Sequence, residues 1–309
     1  ALAAYIKERG GLPFLTDCNT LYVGSRKNAL EHIETAYING YTPYATGCQV
    51  IIADGVRGTD EAYIPIGCAE GKTAKIGRAI ADADIIISLN HFKGHEDAGF
   101  GGALKNLGMG SGSRAGKMEM HYDGKPVVDR DRCRGCRKCA TICANDGIHY
   151  ENNKAVIDYD NCVGCGRCIA ICSFDAIKPH NSSSEASLNR RIAEYAYAVV
   201  KDKPNFHISI AADISPNCDC HPENDAPILP NIGMFASFDP LALDQACVDA
   251  CMAANPMPHS QLSDNMKKPG FADWGDPFRN STPESEWRSC LDHAEKIGLG
   301  TREYELIKL

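Results

Sequence analysis

The chain has 309 residues, a formal net charge of −8 and 44% hydrophobic residues. This length provides a sizeable core and one or two domains. The acidic balance argues against a nucleic-acid binder, whose contact surface would be basic. No apolar run approaches the length of a membrane span, so we expect neither nucleic acid nor a membrane as a partner.

Predicted strands and helices alternate along much of the chain. The strands are short apolar runs, expected at residues 13–17, 50–53, 85–89, 206–212 and 232–237. The helices are expected at residues 25–38, 72–83, 185–200 and 284–297, with another beginning near Pro240. Because unbroken apolar strands that alternate with helices are typical of parallel sheets, we predict an α/β fold. It would have a mostly parallel sheet with helices on both faces.

A cysteine-rich segment between these elements repeats itself. The spacing Cys-x2-Cys-x2-Cys-x3-Cys occurs twice, and each cysteine of the second run lies 29 positions after its counterpart. The runs are Cys133, Cys136, Cys139 and Cys143, then Cys162, Cys165, Cys168 and Cys172. Because aspartates, glycines and isoleucines match at the same offset, we interpret the segment as an internal duplication.

The doubled spacing is typical of ferredoxins with two 4Fe–4S clusters, in which the fourth cysteine of each run ligates the other cluster. The predicted ligands are Cys133, Cys136, Cys139 and Cys172 for cluster 1, and Cys162, Cys165, Cys168 and Cys143 for cluster 2. Gly135 and Gly164 would allow tight loops around the sulfurs. Ala144 and Ser173 replace the proline that usually follows the fourth cysteine. Two zinc sites or a disulfide framework are the alternatives.

The duplicated segment interrupts the α/β pattern. We therefore expect one discontinuous α/β domain over residues 1–120 and 182–309. An inserted α+β domain of the bacterial two-cluster ferredoxin type would occupy residues 121–181. Sixteen cysteines would suggest disulfides in a small secreted protein, but clusters need reducing conditions. We thus expect a cytoplasmic protein of an anaerobic setting.

Three titratable residues follow the apolar run at 85–89. His91, Lys93 and His95 alternate, so they would share one side of an extended segment. Carboxyl ends of strands are where α/β sheets bind ligands, so these residues are candidates for acid–base catalysis or for contact with an anion. A solvated loop whose histidines bind neighbouring carbonyls is the alternative.

A glycine-rich stretch comes next. Gly101 and Gly102 precede a short helix and could leave N–H groups free to bind a phosphate or carboxylate, with Lys105 assisting. Close packing against the ferredoxin insert would also explain these glycines.

Cys218 and Cys220 lie in a loop after another predicted strand. Residues i and i+2 share one face of an extended chain, so both sulfurs could reach one metal ion or one substrate. His221, Glu223 and Asp225 could complete a metal site or tune the thiolate pKa. The pair would act as metal ligands, redox pair or nucleophile. Inert buried thiols are the alternative.

A further polar group follows the first strand. Asp17, Asn19, Tyr22, Arg26 and His32 are equally compatible with substrate recognition and with a buried salt bridge between Asp17 and Arg26.

Basic residues surround the first cysteine run. They are Arg130, Arg132, Arg134, Arg137 and Lys138, against one acid, Asp131. A solvated loop is one interpretation. The other is a docking patch that attracts an acidic redox carrier such as ferredoxin or flavodoxin. Mobile ferredoxins are themselves usually acidic, so we favour a built-in electron wire over a mobile carrier.

Several motifs together resemble a known family. They lie at residues 16–22, 24–26, 91–95, 99–110, 117–121, 218–220 and 225–228. The chain closely resembles, over nearly its whole length, the ferredoxin-containing branch of the family called domain of unknown function 362. The resemblance implies an iron–sulfur protein of anaerobic metabolism and a further segment upstream of Ala1. It does not supply a reaction.

Two functional hypotheses follow. In the first, the protein is an oxidoreductase that passes electrons through two 4Fe–4S clusters to an unidentified small molecule in the α/β cleft. The catalytic candidates would be His91, Lys93, His95, Cys218 and Cys220. In the second, it is a non-enzymatic electron-transfer or sensing subunit that docks redox partners. No nicotinamide fingerprint follows the first strand, so we expect no bound dinucleotide.

Overall fold

A computed structural model describes residues 1–21, 24–121, 125–162, 164–179, 185–220 and 225–309. The chain divides into two compact units. Unit 1 comprises Ala1–Ile64, Ala74–Ala83 and Ser111–Ser183. Unit 2 comprises Pro65–Thr73, Asp84–Gly110 and Ser184–Leu309. The duplicated cysteine segment belongs to unit 1. The domain boundaries expected from the sequence stay a prediction.

Short helices and strands alternate along the described residues. The helices are α1 (Leu2–Glu8), α2 (Ala29–Ile38), α3 (Pro43–Thr46), α4 (Arg78–Asp82), α5 (Ala103–Lys105), α6 (Arg114–His121), α7 (Lys138–Ile142), α8 (Arg167–Ile171), α9 (Glu185–Val200), α10 (Pro240–Met252), α11 (Gln261–Met266), α12 (Pro277–Ser281) and α13 (Arg288–Lys296), with a π-helical turn at Asn106–Gly110. The strands are β1 (Phe14–Asp17), β2 (Gln49–Ile52), β3 (Glu61–Pro65), β4 (Thr73–Gly77), β5 (Ile86–His91), β6 (Lys93–His95), β7 (Gly99–Gly101), β8 (Pro126–Val128), β9 (Ile148–Glu151), β10 (Lys154–Ile157), β11 (Ile177–Pro179), β12 (Asn205–Ala211) and β13 (Gly233–Ser237).

The helix predicted at residues 72–83 is wrong in its first half. That segment begins as strand β4, and only α4 is helical. Ala74 and Ile76 are buried on either side of the half-buried Lys75, which is the two-residue period of a strand. β4 pairs with β3, so backbone pairing stabilises the extended form.

The described strands form several small sheets. In unit 1, β1 and β2 pair in parallel. In unit 2, β12 lies between β5, to which it is parallel, and β13, to which it is antiparallel. The largest sheet within the described residues has three strands. The protein is thus a mixed α/β structure, and the expected single, mostly parallel sheet is not confirmed.

The duplicated sequence of unit 1 folds as a duplicated backbone. Helices α7 and α8 begin at equivalent positions, and the residues that precede them, Arg137 and Gly166, both have positive φ angles, 67° and 66°. Strand β8 pairs with β11, and β9 pairs with β10. The first strand of each copy therefore pairs with the second strand of the other copy. One buried cluster joins the two copies: Leu21, Met118, Cys133, Cys139, Ala155, Cys168, Ile169, Cys172, Ala176 and Ile177.

In unit 2, the long helix α9 packs against the π-helical turn and against α13. A Cβ atom at Gly108 in that turn would overlap the carbonyl oxygen of Ile192 in α9, so the contact requires glycine. Elsewhere in unit 2, three aromatic rings pack with centroids 4.9–6.0 Å apart: those of Phe92, Phe100 and Phe278. These rings hold the β6–β7 hairpin in place.

None of the helices in the described part of the chain has the length and apolar content needed to cross a bilayer.

We predict that Gly108→Ala lowers the free energy of unfolding by about 1–3 kcal/mol, because overpacking forces a backbone shift. Gly71→Ala is the matched control, since a Cβ atom there would lie 3.5 Å from Glu194, an ordinary contact. Urea denaturation followed by circular dichroism measures both variants. Equal midpoints for the two variants would contradict the close helix contact.

Candidate functional site

Two loops of unit 2 follow neighbouring parallel strands. His91 is the last residue of β5 and stands opposite Ile210 of β12. The chain after β5 forms the β6–β7 hairpin, in which Lys93 pairs with Gly101. The chain after β12 leads to Cys218 and Cys220. Since parallel strands end at the same edge of a sheet, the two loops meet there.

Asp219 connects the two loops. Its carboxylate lies 2.8 Å from His91 Nδ1 and 3.5 Å from Lys93 Nζ. His91 Nε2 lies 2.8 Å from the carbonyl oxygen of Ala212. Both partners of the imidazole are acceptors, so both ring nitrogens donate and the ring is positively charged. The hydrogen bond to Asp219 accordingly raises the pKa of His91. Burial would raise the pKa of Asp219, but the hydrogen bond from His91 and the charges of Lys93 and His91 together lower it.

His95 is buried and has a different hydrogen-bonding pattern. Its Nδ1 accepts hydrogen bonds from the backbone N–H groups of Asp97 at 3.0 Å and Ala98 at 3.1 Å. A neutral imidazole with Nδ1 as acceptor carries its proton on Nε2. The side chain also hydrogen-bonds Cys218. We therefore assign His95 as a donor to the Cys218 sulfur.

Lys105 lies against both cysteines. Its Nζ is 3.2 Å from the sulfur of Cys218 and 3.3 Å from that of Cys220. The two sulfurs are 2.9 Å apart. The backbone N–H of Cys218 donates to Glu96 Oε2 at 3.2 Å, which holds the cysteine loop in place.

These contacts shift the pKa values of the two cysteines in opposite directions. The hydrogen bond from Cys220, followed by the charge of Lys105 and the hydrogen bond from His95, holds the pKa of Cys218 well below its usual value despite burial. The hydrogen bond to Cys218 and burial raise the pKa of Cys220. Burial would lower the pKa of Lys105, but the interactions with Cys218 and Cys220 together raise it. The contacts therefore favour ionisation of Cys218 before Cys220.

The backbone N–H groups that follow the glycines before α5 bind a carboxylate of unit 2. The backbone N–H groups of Ala103 and Leu104 donate to the Asp244 carboxylate at 2.7 and 2.9 Å. A Cβ atom at Gly102 would overlap this carboxylate, and one at Gly101 would lie 3.1 Å from Lys93 Nζ. The N–H groups expected to bind an external phosphate or carboxylate are thus already bonded. The binding role expected for Gly101, Gly102 and Lys105 stays a prediction.

His95, Cys218 and Cys220 form a group that could hold a metal ion, since their ligand atoms lie within 4.8 Å of one another. His221 and Glu223, which the sequence suggested as further ligands, lie outside the described residues. Asp225 is exposed and is not part of this group.

In unit 1, four cysteines from both runs line one cavity. They are Cys133, Cys136, Cys139 and Cys172. Lys138, Tyr150 and Phe174 also line it. The cavity therefore brings together the four residues predicted for cluster 1.

The fourth cysteine of each run accepts an equivalent backbone hydrogen bond. Gly147 N–H donates to Cys143 at 3.2 Å, and Ala176 N–H donates to Cys172 at 3.3 Å. A Cβ atom at Gly147 would lie 3.3 Å from the backbone nitrogen of Cys162, so Gly147 lies close to the start of the second run. Burial, followed by the neighbouring Cys165 and Cys162, raises the pKa of Cys168.

The polar group after β1 is compact. Asn19 donates through its backbone and its amide to Asp54, at 2.9 and 2.8 Å. His32 Nε2 lies 3.8 Å from Asp17. Tyr22 lies outside the described residues. The choice between substrate recognition and a structural salt bridge with Arg26 stays open.

The sequence model of the family described as "Domain of unknown function (DUF362)" matches residues 1–249. The chain belongs to this family. No curated protein and no solved structure matches it.

Three residues of the site in this DUF362 protein were not predicted from the sequence: Glu96, Asp219 and Asp244. Asp219 lies between the two cysteines of the Cys-x-Cys motif. A residue in that position points to the opposite side of an extended chain from the cysteines, and this was a sequence signal for Asp219. Asp244 lies in α10, far along the sequence from the helix start that it caps. No local pattern indicates such a contact.

We predict that Asp219→Asn lowers the pKa of His91, because the amide replaces the carboxylate that favours the imidazolium. The raised folded pKa means that the pair stabilises the protein below the unfolded value of about 6.5, and that this contribution is lost as the pH rises through the folded pKa. Histidine NMR titration measures the change. His207, whose pKa burial lowers to about 4, is the internal control and should not move. An unchanged His91 pKa would contradict the pairing.

Proposed function

We propose that this DUF362 protein is an iron–sulfur oxidoreductase of the ferredoxin-containing branch of its family, acting in an anaerobic cytoplasm. Unit 1 would bind two 4Fe–4S clusters. The observation that carries the proposal is the cavity lined by three cysteines of the first run together with Cys172 of the second. This is the crossed ligand set of two-cluster ferredoxins.

The strand exchange gives the crossing a physical basis. Each copy contributes its second strand to a pair with the other copy's first strand, so the cysteine before that second strand is carried toward the other run. Backbone N–H groups also point at sulfurs: those of Ala155, Gly147 and Ala176 donate to Cys133, Cys143 and Cys172. Such bonds stabilise the negative charge of a thiolate-bound cluster. The residues present therefore fit the clusters.

The surface beside the first run supports the entry of electrons there. Cys136 is exposed, as are Arg134, Arg137 and Lys138. Arg130 and Arg132, in contrast, have carboxylates of unit 1 within 4 Å. A patch of cations around an exposed cluster ligand would attract an acidic carrier such as ferredoxin or flavodoxin.

Unit 2 would supply the reacting site. His91 and Lys93 present positive charge around Asp219. Lys105 does so around the cysteine pair, to which His95 donates a hydrogen bond. Electrons from the clusters would be used at Cys218 and Cys220. If the protein were only a relay or sensor, His95→Gln would leave its exchange of electrons with partners unchanged.

We predict roughly eight irons and eight sulfides per chain from the two clusters. Cys172→Ser should lose the cluster held by the first run and keep the other, because the ligands are crossed. Anaerobic metal and sulfide analysis with electron paramagnetic resonance measures this, and Cys68→Ser, outside both runs, is the control. Zinc without sulfide, or loss of only the second cluster, would overturn the assignment.

We also predict that Lys138→Glu slows reduction of the protein by an acidic carrier, and that the loss shrinks in high salt because exposed charges are screened. Arg167→Glu is the matched control, since Arg167 occupies the equivalent position at the start of α8 in the second copy. Stopped-flow reduction at two salt concentrations measures the rates. Equal slowing by both variants would refute a patch specific to the first run.

A further inference from the structure

Lys105 places a half-buried positive charge beside two sulfurs. Its ammonium group contacts Cys218 at 3.2 Å and Cys220 at 3.3 Å. An ammonium group partly withdrawn from water is stabilised by a nearby negative charge. Two neutral thiols would not provide one. The contact therefore favours a thiolate in the reduced pair.

The two sulfurs also contact each other. They lie 2.9 Å apart, so a small displacement would bring them to the roughly 2.05 Å of a disulfide bond. Cys218 is 4% exposed, whereas Cys220 is partly exposed. An incoming molecule therefore meets the Cys220 sulfur first, with the Cys218 sulfur directly behind it.

The surroundings favour this pair over a metal centre. A metal ion bound by both sulfurs would lie close to the ammonium of Lys105, and the two positive charges would repel each other. The third member of the group, His95, directs its Nδ1 lone pair at two backbone N–H groups, and its other nitrogen carries the proton. In this orientation His95 offers no lone pair to a metal.

We propose that Cys218 and Cys220 form a thiol–disulfide redox couple that reacts with a disulfide substrate, and that Lys105 stabilises its reduced form. The proton of Cys220 passes to Cys218, and the Cys220 thiolate attacks one sulfur of the substrate disulfide. The first substrate thiolate leaves and takes the proton from Cys218. The Cys218 thiolate then attacks the Cys220 sulfur and releases the second substrate thiolate. The pair has lost two electrons and one proton, and the substrate has gained them.

The return to the reduced form rests on the proposed function. Breaking the Cys218–Cys220 disulfide takes two electrons and one proton, and each 4Fe–4S cluster carries one electron. Two reduced clusters therefore supply the required number. A dithiol reagent supplies both electrons at once and allows the couple to be studied without the clusters.

The test is an anaerobic redox titration of the full chain in glutathione buffers, with alkylation of free thiols and mass spectrometry of the peptide that contains both cysteines. We expect a reversible Cys218–Cys220 disulfide. Lys105→Met should shift the exchange equilibrium toward that disulfide by roughly tenfold to a hundredfold, because it removes hydrogen bonds to a charged group. Lys105→Arg keeps the charge and should shift it less. Circular dichroism checks that each variant is folded.

A second pair of variants tests the order of attack. Cys218→Ser should accumulate a mixed disulfide of glutathione with Cys220, because the resolving thiol is missing. Cys220→Ser should not accumulate one at Cys218. Similar adducts in both variants would overturn the order proposed here.

The couple itself would be overturned if no Cys218–Cys220 disulfide forms at any glutathione ratio. It would also be overturned if Lys105→Met leaves the equilibrium unchanged, or if the chain retains one metal ion that is lost when both cysteines are replaced. Iron and sulfide are measured on the same samples. A chain without iron whose cysteine pair still titrates would remove the proposed electron source and leave the thiol couple in place.

Discussion

The exchange of strands between the two copies of the duplicated segment is the constraint that organises unit 1. Because β8 pairs with β11 and β9 with β10, neither copy completes its own strand pairs. The same exchange brings Cys172 to the cavity lined by the first cysteine run. In the proposed function, folding of the module and assembly of its cluster ligands would therefore be one event. A change that disturbs one copy should affect the site nominally held by the other.

In unit 2, the corresponding constraint is the burial of charge. Asp244 caps α5 from within the core, and burial raises its pKa to about 7. The helix that it caps carries Lys105, whose ammonium needs the cysteine pair as its counter-charge. Gly102 is required because any side chain there would displace the capping carboxylate. The glycine-rich stretch thus positions a lysine against two sulfurs, using a carboxylate of the protein itself.

The two units combine two kinds of redox chemistry in the proposed function. Cysteines in the duplicated segment would hold one-electron carriers, and the Cys218–Cys220 pair would be a two-electron couple. Two clusters match one disulfide in electron number, which gives a reason for a duplicated module in a protein with a single such pair in its site. Membership of DUF362 is shown by the match over residues 1–249. The proposed redox chemistry adds a function for this member of the family that experiments can test.

The sequence by itself determined the duplication, the family, five of the thirteen described strands, the four longest described helices, and the residues around the candidate site. These follow from spacing and periodicity, which are local properties of the chain. Only the tertiary structure decided that residues 73–77 form a strand, because pairing with β3 outweighs helix propensity there. It also decided that Asp244 occupies the start of α5 and that Lys105 contacts both sulfurs. Asp244 and Lys105 lie more than a hundred positions from their partners, and such contacts are selected by burial and charge compensation in the folded chain, which leave no periodic pattern in the sequence.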